Sequence, residues 1–199
     1  TLIYKDVENL QPKEKEVLVE IKACGVNFPD TLIVQGLYQF KPELPFTPGS
    51  DIAGVVKLVG AGIKHLKVGD EVFGFAPHGG FAEEVVLDGK AVFPKPPNMD
   101  FPIAASFMMT YGTSYHALKD RAYLKEGETL LVLGASGGVG LAAVELGKLM
   151  GAKVIAAAST DEKLELCKEY GADETINYST EDLKNKIKVL TGGKGVDVV

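Results

Sequence analysis

Hydrophobic residues follow a two-residue period through roughly the first hundred positions of the chain. In EVLVEIKACGV, residues 16–26, Val17, Val19 and Ile21 alternate with polar neighbours, which predicts a half-buried strand. Residues 51–62 predict a pair of strands separated by glycines. Single strands are predicted near residues 71–75 and 82–87, each after a glycine turn. Many short strands joined by such turns indicate a small barrel or sandwich.

The second half of the chain follows a different pattern. FPKPPNMDFP, residues 93–102, has four prolines in ten positions, which predicts a connector, with Asp100 as the N-cap of the next helix. Beyond it, apolar runs alternate with helix-like segments, and this order predicts a parallel, doubly wound sheet. The predicted strands are residues 129–133, 153–159 and 196–199, and residues 172–178 are a short strand or a turn. The predicted helices are 141–151, 160–171 and 179–193.

The final apolar run, VDVV, is the last of these strands, and the chain stops within it. Since no Met stands at position 1 either, we expect a chain that is truncated inside its second domain.

A glycine-rich turn joins the strand at residues 129–133 to the following helix. The turn reads GASGGVG from Gly134 to Gly140, and it matches the dinucleotide template G-x-G-x-x-G except that Ala135 holds the first position. In such a turn, glycines let the backbone approach a pyrophosphate, which the helix N-terminus stabilises. The alternative is a turn that serves only strand–helix packing, and the strand–turn–helix context favours nucleotide binding.

The end of the second strand of this half favours NADP over NAD. NAD sites place a carboxylate there to hold the ribose 2′-hydroxyl, whereas this chain has AAAST, and its first acid is Asp161. Lys163 and Ser159 could contact a 2′-phosphate, although a solvated lysine is the ordinary alternative.

Several motifs together resemble the quinone oxidoreductase branch, which includes zeta-crystallin, of the medium-chain dehydrogenase/reductase superfamily. They are CGVNFPD, GLY, PFTPGSDIAGVV, VGDEVFG, GGFAEE, GASGGVG and the INY that follows GAD. The resemblance covers essentially the whole chain. It implies a GroES-like β-barrel domain in residues 1–100 and an incomplete NADP-binding Rossmann domain in residues 101–199.

The resemblance also implies roles for individual residues. Asn27 and Tyr38 would line the substrate cleft, and Thr113 would lie near the nicotinamide. The cofactor's phosphates would be bound by residues from two segments. The pyrophosphate turn would be Ser136, Gly137, Gly138 and Val139, and the 2′-phosphate contacts would be Ser159, Lys163 and Tyr178. Tyr178 could instead be a packing residue, and Thr113 a helix hydroxyl bonded to its own backbone.

Zinc alcohol dehydrogenases resemble the chain as well, but their zinc ligands are replaced. Asn27 stands where they have a cysteine, and Ser50 stands where they have the histidine of Gly-His-Glu. Zinc prefers thiolate, imidazole or carboxylate donors, and the three histidines are scattered along the chain. The sequence therefore predicts no metal site.

Without a Lewis acid, alcohol oxidation is disfavoured because the alkoxide is left unstabilised. A quinone or an enone delocalises the charge that hydride transfer creates, and Asn27 and Tyr38 could donate hydrogen bonds to it. Asp30 could be an acid–base residue, but a helix-start cap or a surface acid is favoured. We therefore expect NADPH-dependent reduction of a quinone. The alternatives are an enone, alkenal or enoyl-thioester reductase, or a non-catalytic NADPH-binding structural or interaction protein.

Composition limits the binding partners and the location that we expect for the protein. A net charge of −6 disfavours nucleic-acid binding, which needs surplus Lys and Arg. Cys24 and Cys167 have no pairing or metal spacing, so reduced thiols in a cytoplasmic protein are expected. The uncharged residues 101–118 are too polar for a membrane span. The family resemblance adds the expectation of a homodimer.

Overall fold

The computed structural model describes residues 2–199, which form two compact units, the first ending at Met109 and the second beginning at Thr110. The boundary that the sequence predicts, at residue 100, lies earlier on the chain. Among the described residues, no helix is both long enough and apolar enough to cross a membrane.

An antiparallel sheet of five strands organises the first unit. Its strands lie in the order β4-β1-β2-β3-β5. The elements of this unit are β1 (Glu16–Gly25), α1 (Phe28–Val34), β2 (Asp51–Val59), β3 (Glu71–Phe75), β4 (Glu84–Asp88) and β5 (Val92–Pro94). The alternating residues that predicted β1 are fully buried at Val17 and Val19, where they pack with Ile52 and Val72 in one apolar cluster. The half-buried strand predicted from this period is thereby confirmed.

Two predictions for the first unit were wrong in detail. The predicted strand pair in residues 51–62 is one continuous strand, β2, because Gly54 lies inside it rather than at a turn. A Cβ at Gly54 would lie 2.0 Å from the carbonyl oxygen of Glu20, so glycine lets β1 approach closely here. The proline-rich connector also contains β5, which tolerates Pro94 because that residue ends the strand.

A helical stretch follows the connector. The short helix α2 (Phe101–Ala104) begins at Asp100, whose side chain accepts a hydrogen bond from the Ile103 N–H at 2.9 Å, so the predicted cap is confirmed. Later turns have π-type hydrogen bonding on both sides of a single α-helical turn, α3. Their bounds are Met108–Gly112 (π), Thr113–Tyr115 (α3) and His116–Arg121 (π). π-type turns of this kind are frequent at functional sites.

A parallel sheet organises the second unit, as predicted. Its elements are β6 (Thr129–Leu133), α4 (Gly138–Leu149), β7 (Lys153–Ala158), α5 (Asp161–Glu169), β8 (Glu174–Asn177) and α6 (Leu183–Leu190). The strands lie in the order β6-β7-β8, and Val198 pairs in parallel with Leu130 of β6. Since β7 occupies one edge of β6, Val198 lies on the other, so the strand order reverses at β6.

Helices cover both faces of this sheet. Alternate β-strand residues, such as Leu130 and Val154, pack with Val144 of α4 and Cys167 of α5. Residues of opposite parity pack in a separate cluster with α6, whose members are Leu131, Ile155, Ala157, Ile176, Leu183, Ile187 and Leu190. The predicted doubly wound architecture is therefore confirmed. In open sheets of this kind, ligands bind outside the carboxyl ends of the strands where their order reverses, which here is the end of β6.

Candidate functional site

The glycine turn after β6 has two kinds of glycine. Gly140 serves packing, because a Cβ there would lie 2.4 Å from the carbonyl oxygen of Gly134. Gly134 has a φ of 65°, a conformation that favours glycine. Ala135, which replaces the first glycine of the template, is fully buried within the apolar cluster beneath α4. The departure from the template therefore adds a methyl group to the core rather than to the exposed part of the turn.

The exposed part of the turn lies at the start of α4. Gly137 is the N-cap residue, and among the described residues no side chain caps this helix. Gly137, Gly138 and Val139 are exposed, and Ser136 is partly buried. Because the first-turn N–H groups of a helix have no partner within it, this end offers uncapped donors and a positive dipole to an anion.

Two predicted 2′-phosphate contacts lie together at the carboxyl end of β7. The Lys163 Nζ donates a hydrogen bond to the Ser159 Oγ at 3.2 Å. The third predicted contact, Tyr178, directly follows β8. Its N–H donates to the Ala158 carbonyl at 3.1 Å, so its backbone lies at the same edge of the sheet. Lys163 and Tyr178 are exposed and Ser159 is partly buried. A cation and two hydroxyl groups can therefore face an anion from this edge.

Three residues at this edge were not predicted as part of the site. The Asn177 Nδ2 donates to the Asp161 Oδ1 at 2.7 Å, and the Ser179 hydroxyl donates to the Ser159 carbonyl at 2.9 Å. Asn177 was quoted only as part of the INY motif. Its position at the end of β8, parallel to β7, was the signal that could have placed it beside Asp161.

Thr113 lies in α3 and is exposed. Its neighbour Ser114 is 2% exposed, and the Ser114 hydroxyl donates to the Val139 carbonyl at 2.8 Å. Three residues earlier, the Tyr111 hydroxyl donates to a carboxylate oxygen of Glu145 in α4. This hydrogen bond, together with burial, raises the pKa of Tyr111 to about 12. The segment that carries Thr113 is thus tied to the first turns of α4 within the second unit.

The first unit contains a buried polar cluster where zinc dehydrogenases have their ligands. Asn27 is the N-cap residue of α1, and its backbone N–H donates to the Asp30 carboxylate at 2.8 Å. The Ser50 hydroxyl donates to the other oxygen of Asp30 at 3.3 Å. Through the hydrogen bond from the Asn27 N–H, Asp30 acts as the helix-start cap that the sequence favoured. It is 3% exposed, so it is not a surface acid. The Asn27 Nδ2 is buried without a hydrogen-bond partner among the described residues.

Asp51, the first residue of β2, is fully buried in the same unit. Its Oδ2 accepts a hydrogen bond from the Met109 N–H at 3.0 Å, while its Oδ1 has no partner in the described part of the chain. Burial raises the pKa of Asp51 to about 6, and the N–H groups of Met109 and Met108 partly oppose this shift. Burial, together with the charges of Asp30 and Asp51, also raises the pKa of Cys24 to about 12. Cys24 is therefore a neutral thiol at physiological pH.

Tyr38 lies in the loop after α1 and is partly buried. Of the three histidines, His78 stacks on Phe40 with ring centroids 6.1 Å apart. Within residues 2–199, no three His, Cys, Asp or Glu side chains form a group that could hold a metal ion. A cavity of about 470 Å³ lies between α6 and residues 193–196, and no predicted site residue lines it.

Two family models match the chain. Residues 13–97 match the alcohol dehydrogenase GroES-like domain, and residues 138–199 match the zinc-binding dehydrogenase family. The first match lies within the β-rich unit, and the second begins at the first residue of α4 and runs to the end of the parallel-sheet unit. The fold class is therefore a GroES-like domain followed by a Rossmann-type domain, as predicted.

Individual proteins give the same assignment. The quinone oxidoreductase-like protein 2 homolog of Nematostella vectensis is 46% identical over 186 residues, which are 92% of this chain and 51% of that protein. Escherichia coli quinone oxidoreductase, solved in complex with NADPH, is 37% identical with a TM-score of 0.92, covering 96% of this chain and 59% of that one. CurK enoyl reductase is 32% identical with a TM-score of 0.89, covering 98% and 61%.

The fold and the glycine turn define a dinucleotide-binding protein of the dehydrogenase type. The chain belongs to the quinone oxidoreductase branch of the medium-chain dehydrogenase/reductase superfamily. It spans between half and two thirds of the length of these relatives.

Proposed function

We propose that the complete protein is an enzyme that transfers hydride from NADPH to a quinone without using zinc. The observation that carries this proposal is the uncapped, exposed start of α4, beside a strand end that holds Ser159 and Lys163 and has no carboxylate of its own. The names of the relatives supply the class of reaction.

The cofactor would be held along the carboxyl edge of the parallel sheet. Ser136, Gly138 and Val139 would donate backbone N–H groups to its pyrophosphate. Gly137, whose N–H already donates to the Gly134 carbonyl at 3.1 Å, would let the pyrophosphate approach the backbone. Ser159, Lys163 and Tyr178 would bind the 2′-phosphate as one cation and two hydroxyl donors. Thr113 would contact the nicotinamide. When bound, NADPH supplies the hydride, while the chain orients it and excludes water.

The acceptor would be held by Asn27 and Tyr38. The Asn27 Nδ2 has no partner among the described residues, and an unpaired buried donor is costly unless a ligand or water satisfies it. An acceptor oxygen that gains negative charge during hydride transfer would do so. These side chains also fit a site without zinc. Asn27 offers a neutral amide and Ser50 a neutral hydroxyl, and the Ser50 hydroxyl already donates a hydrogen bond to Asp30.

The decisive experiment measures NADPH and NADH affinity and turnover on the full-length protein. We expect tighter binding of NADPH, and oxidation of NADPH when 1,4-benzoquinone is added. Tighter binding of NADH, or consumption of an alcohol with NADP⁺ in preference to quinone reduction, would contradict the proposal. NADPH binding with no turnover across quinones and alkenals would indicate the non-catalytic alternative.

Reduction of an activated carbon–carbon double bond is the second candidate. It is favoured by the similarity to CurK enoyl reductase, at 32% identity. The same cofactor site would serve, since an enone or enoyl thioester also delocalises the negative charge that hydride creates. A kcat/KM that is higher for a 2-alkenal or an enoyl thioester than for benzoquinone would select this candidate.

The setting of the protein is a further part of the proposal. Both cysteines are free, and unpaired thiols are typical of the cytoplasm, where we propose the protein acts. We propose a homodimer that binds a small molecule and no nucleic acid. Sedimentation of the full-length protein tests the dimer, and a single species of monomer mass would contradict it.

A further inference from the structure

One carboxylate lies near the proposed 2′-phosphate contacts, and a buried amide holds it. Asp161 is the first residue of α5, two positions after Ser159. Its Oδ1 accepts a hydrogen bond from the Asn177 Nδ2 at 2.7 Å. Asn177 is only 7% exposed, so this contact ties an exposed acid to an interior side chain.

The orientation of the Asn177 amide is fixed by its other contacts. Its Oδ1 accepts a hydrogen bond from the Ser179 N–H at 3.1 Å. The backbone N–H of Asn177 donates to a Glu181 carboxylate oxygen at 3.0 Å. Since the amide oxygen is engaged by an N–H donor, the NH₂ group must be the end that faces Asp161.

Lys163 and Asp161 therefore have different partners. The Lys163 ammonium donates to the Ser159 hydroxyl, whereas the Asp161 carboxylate is bound by Asn177. Residues 159 and 161 have Cα atoms no more than about 7 Å apart, so a released Asp161 side chain could reach a phosphate held at Ser159. A carboxylate in such a position repels a 2′-phosphate and accepts a hydrogen bond from the 2′-hydroxyl of NAD.

We propose that Asn177 is a positioning residue for cofactor choice, because it holds the Asp161 carboxylate away from the 2′-phosphate. This inference rests on the proposed use of NADPH and adds the device that maintains it. Asn177 itself does not touch the cofactor. It acts through Asp161, and its effect requires the negative charge of that residue.

The test is a double-mutant series on the full-length protein, with Kd measured for NADPH and NADH. Asn177→Ala releases Asp161, and NADPH should bind about tenfold more weakly, as expected for like charges a few ångströms apart near a surface. NADH affinity should stay the same or rise. Adding Asp161→Asn to Asn177→Ala should restore NADPH binding, because the repelling charge is gone.

Two further variants separate charge from structure. Glu162→Gln combined with Asn177→Ala removes a neighbouring charge of the same helical turn that Asn177 does not hold, and it should restore nothing. Should Asn177→Ala unfold, Asn177→Asp keeps an acceptor for the Ser179 N–H but repels Asp161, so it should also weaken NADPH binding. The exchange Asn177→Asp with Asp161→Asn rebuilds the pair with reversed roles and should recover the preference for NADPH.

The outcomes distinguish this inference from the proposed function. A wild-type protein that prefers NADH would overturn the proposed cofactor, and the inference with it. A wild-type protein that prefers NADPH, together with Asn177 variants that retain the preference or weaken both cofactors equally, would overturn the inference alone. Failure of Asp161→Asn to rescue a folded Asn177 variant would do the same.

Discussion

At the scale of single residues, the glycines of the turn after β6 differ in how closely other atoms pack against them. Gly140 has no room for a side chain, since a Cβ would lie 2.4 Å from the Gly134 carbonyl oxygen. At Gly137 the nearest atom to a built Cβ is 3.5 Å away, which is ordinary contact. Gly137 also has φ −77° and ψ 163°, which alanine adopts without strain. Fold stability therefore requires glycine at Gly140 but not at Gly137.

Substitution at these two positions should separate stability from nucleotide binding. Gly140→Ala should lower the free energy of unfolding by about 2 kcal/mol, because the turn and α4 must move apart. Gly137→Ala should cost less than about 1 kcal/mol, yet raise the Kd for NADPH roughly tenfold, since its methyl group would stand where the pyrophosphate approaches. Urea unfolding and cofactor titration of full-length variants check both. Unchanged NADPH affinity in a folded Gly137→Ala variant would leave packing as the turn's role.

Asp51 has a consequence for the pH dependence of stability. Its pKa is about 6 in the folded chain against an ordinary value of 3.8, so folding favours the protonated acid. A raised folded-state pKa adds stability that is fully present below about pH 4 and is lost as pH rises through about 6. The hydrogen bond from Met109 persists in both forms, because the acceptor Oδ2 can remain unprotonated.

Asp51→Asn should remove this pH dependence. Relative to the variant, the wild-type protein should lose on the order of 2 kcal/mol of unfolding free energy between pH 4 and pH 6. Denaturant unfolding of both proteins at half-unit pH intervals gives the difference directly, and carboxylates elsewhere in the chain cancel in the comparison. Parallel pH curves for the two proteins would show that Asp51 is already ionised at pH 4.

At the scale of elements, the helical stretch from Met108 to Arg121 departs furthest from the sequence pattern. Its sequence, MMTYGTSYHALKDR, has no amphipathic period. The carboxylate that accepts hydrogen bonds from its first residues belongs to Asp51, which lies 57 positions before Met108 along the chain. No local signal reports such a contact. The π-type turns on either side of α3 therefore could not be predicted, whereas the role of Thr113 was predicted through the family motif and stays a prediction.

Strand and helix positions were more accessible because their causes are local. Asp100 capped the predicted helix, apolar alternation placed β1, and continuous apolar runs placed β6 and β7. The prediction was wrong at Gly54, which was read as a turn glycine. The structure shows that it is a glycine because β1 approaches it closely, and the sequence alone does not distinguish the two causes. Sequence reasoning also missed Asn177, whose partner Asp161 is brought near only by the parallel pairing of β7 with β8.

The tether between α3 and α4 supports a prediction at this scale. Ser114→Ala would remove the hydrogen bond from the buried Ser114 hydroxyl to the Val139 carbonyl, at a cost of about 1 kcal/mol in unfolding free energy. Because the tether holds the segment of Thr113 against the start of α4, kcat of the full-length enzyme should fall more than its affinity for NADPH. Ser106→Ala is the matched control, since that residue is exposed and its hydroxyl donates to the Ile103 carbonyl of α2 at 3.0 Å. Equal effects of both variants on kcat would contradict the role assigned to Ser114.

At the scale of the whole molecule, each unit has its own apolar core and its own set of polar groups. The second unit has a helix start that no side chain of the described residues caps, and the first has the neutral residues Asn27 and Ser50 at the positions that the sequence comparison assigns to zinc ligands. The proposed hydride transfer, to an acceptor that stabilises its own charge, needs no Lewis acid. Whether activity requires a metal is therefore the test that best distinguishes the proposed function of the complete protein from that of zinc dehydrogenases of the same fold.

Removal of metal should leave activity unchanged. After dialysis of the full-length protein against a strong chelator, the rate of NADPH oxidation with benzoquinone should equal that of untreated protein, and elemental analysis should find zinc well below one atom per chain. The reason is local: Asn27 and Ser50 offer no thiolate or imidazole, and the Asp30 carboxylate between them is already engaged by the Asn27 N–H and the Ser50 hydroxyl. A zinc dehydrogenase of the same superfamily, treated in parallel, should lose activity and so show that the chelator works. Loss of quinone reduction that added Zn²⁺ restores would instead place a catalytic metal in this protein.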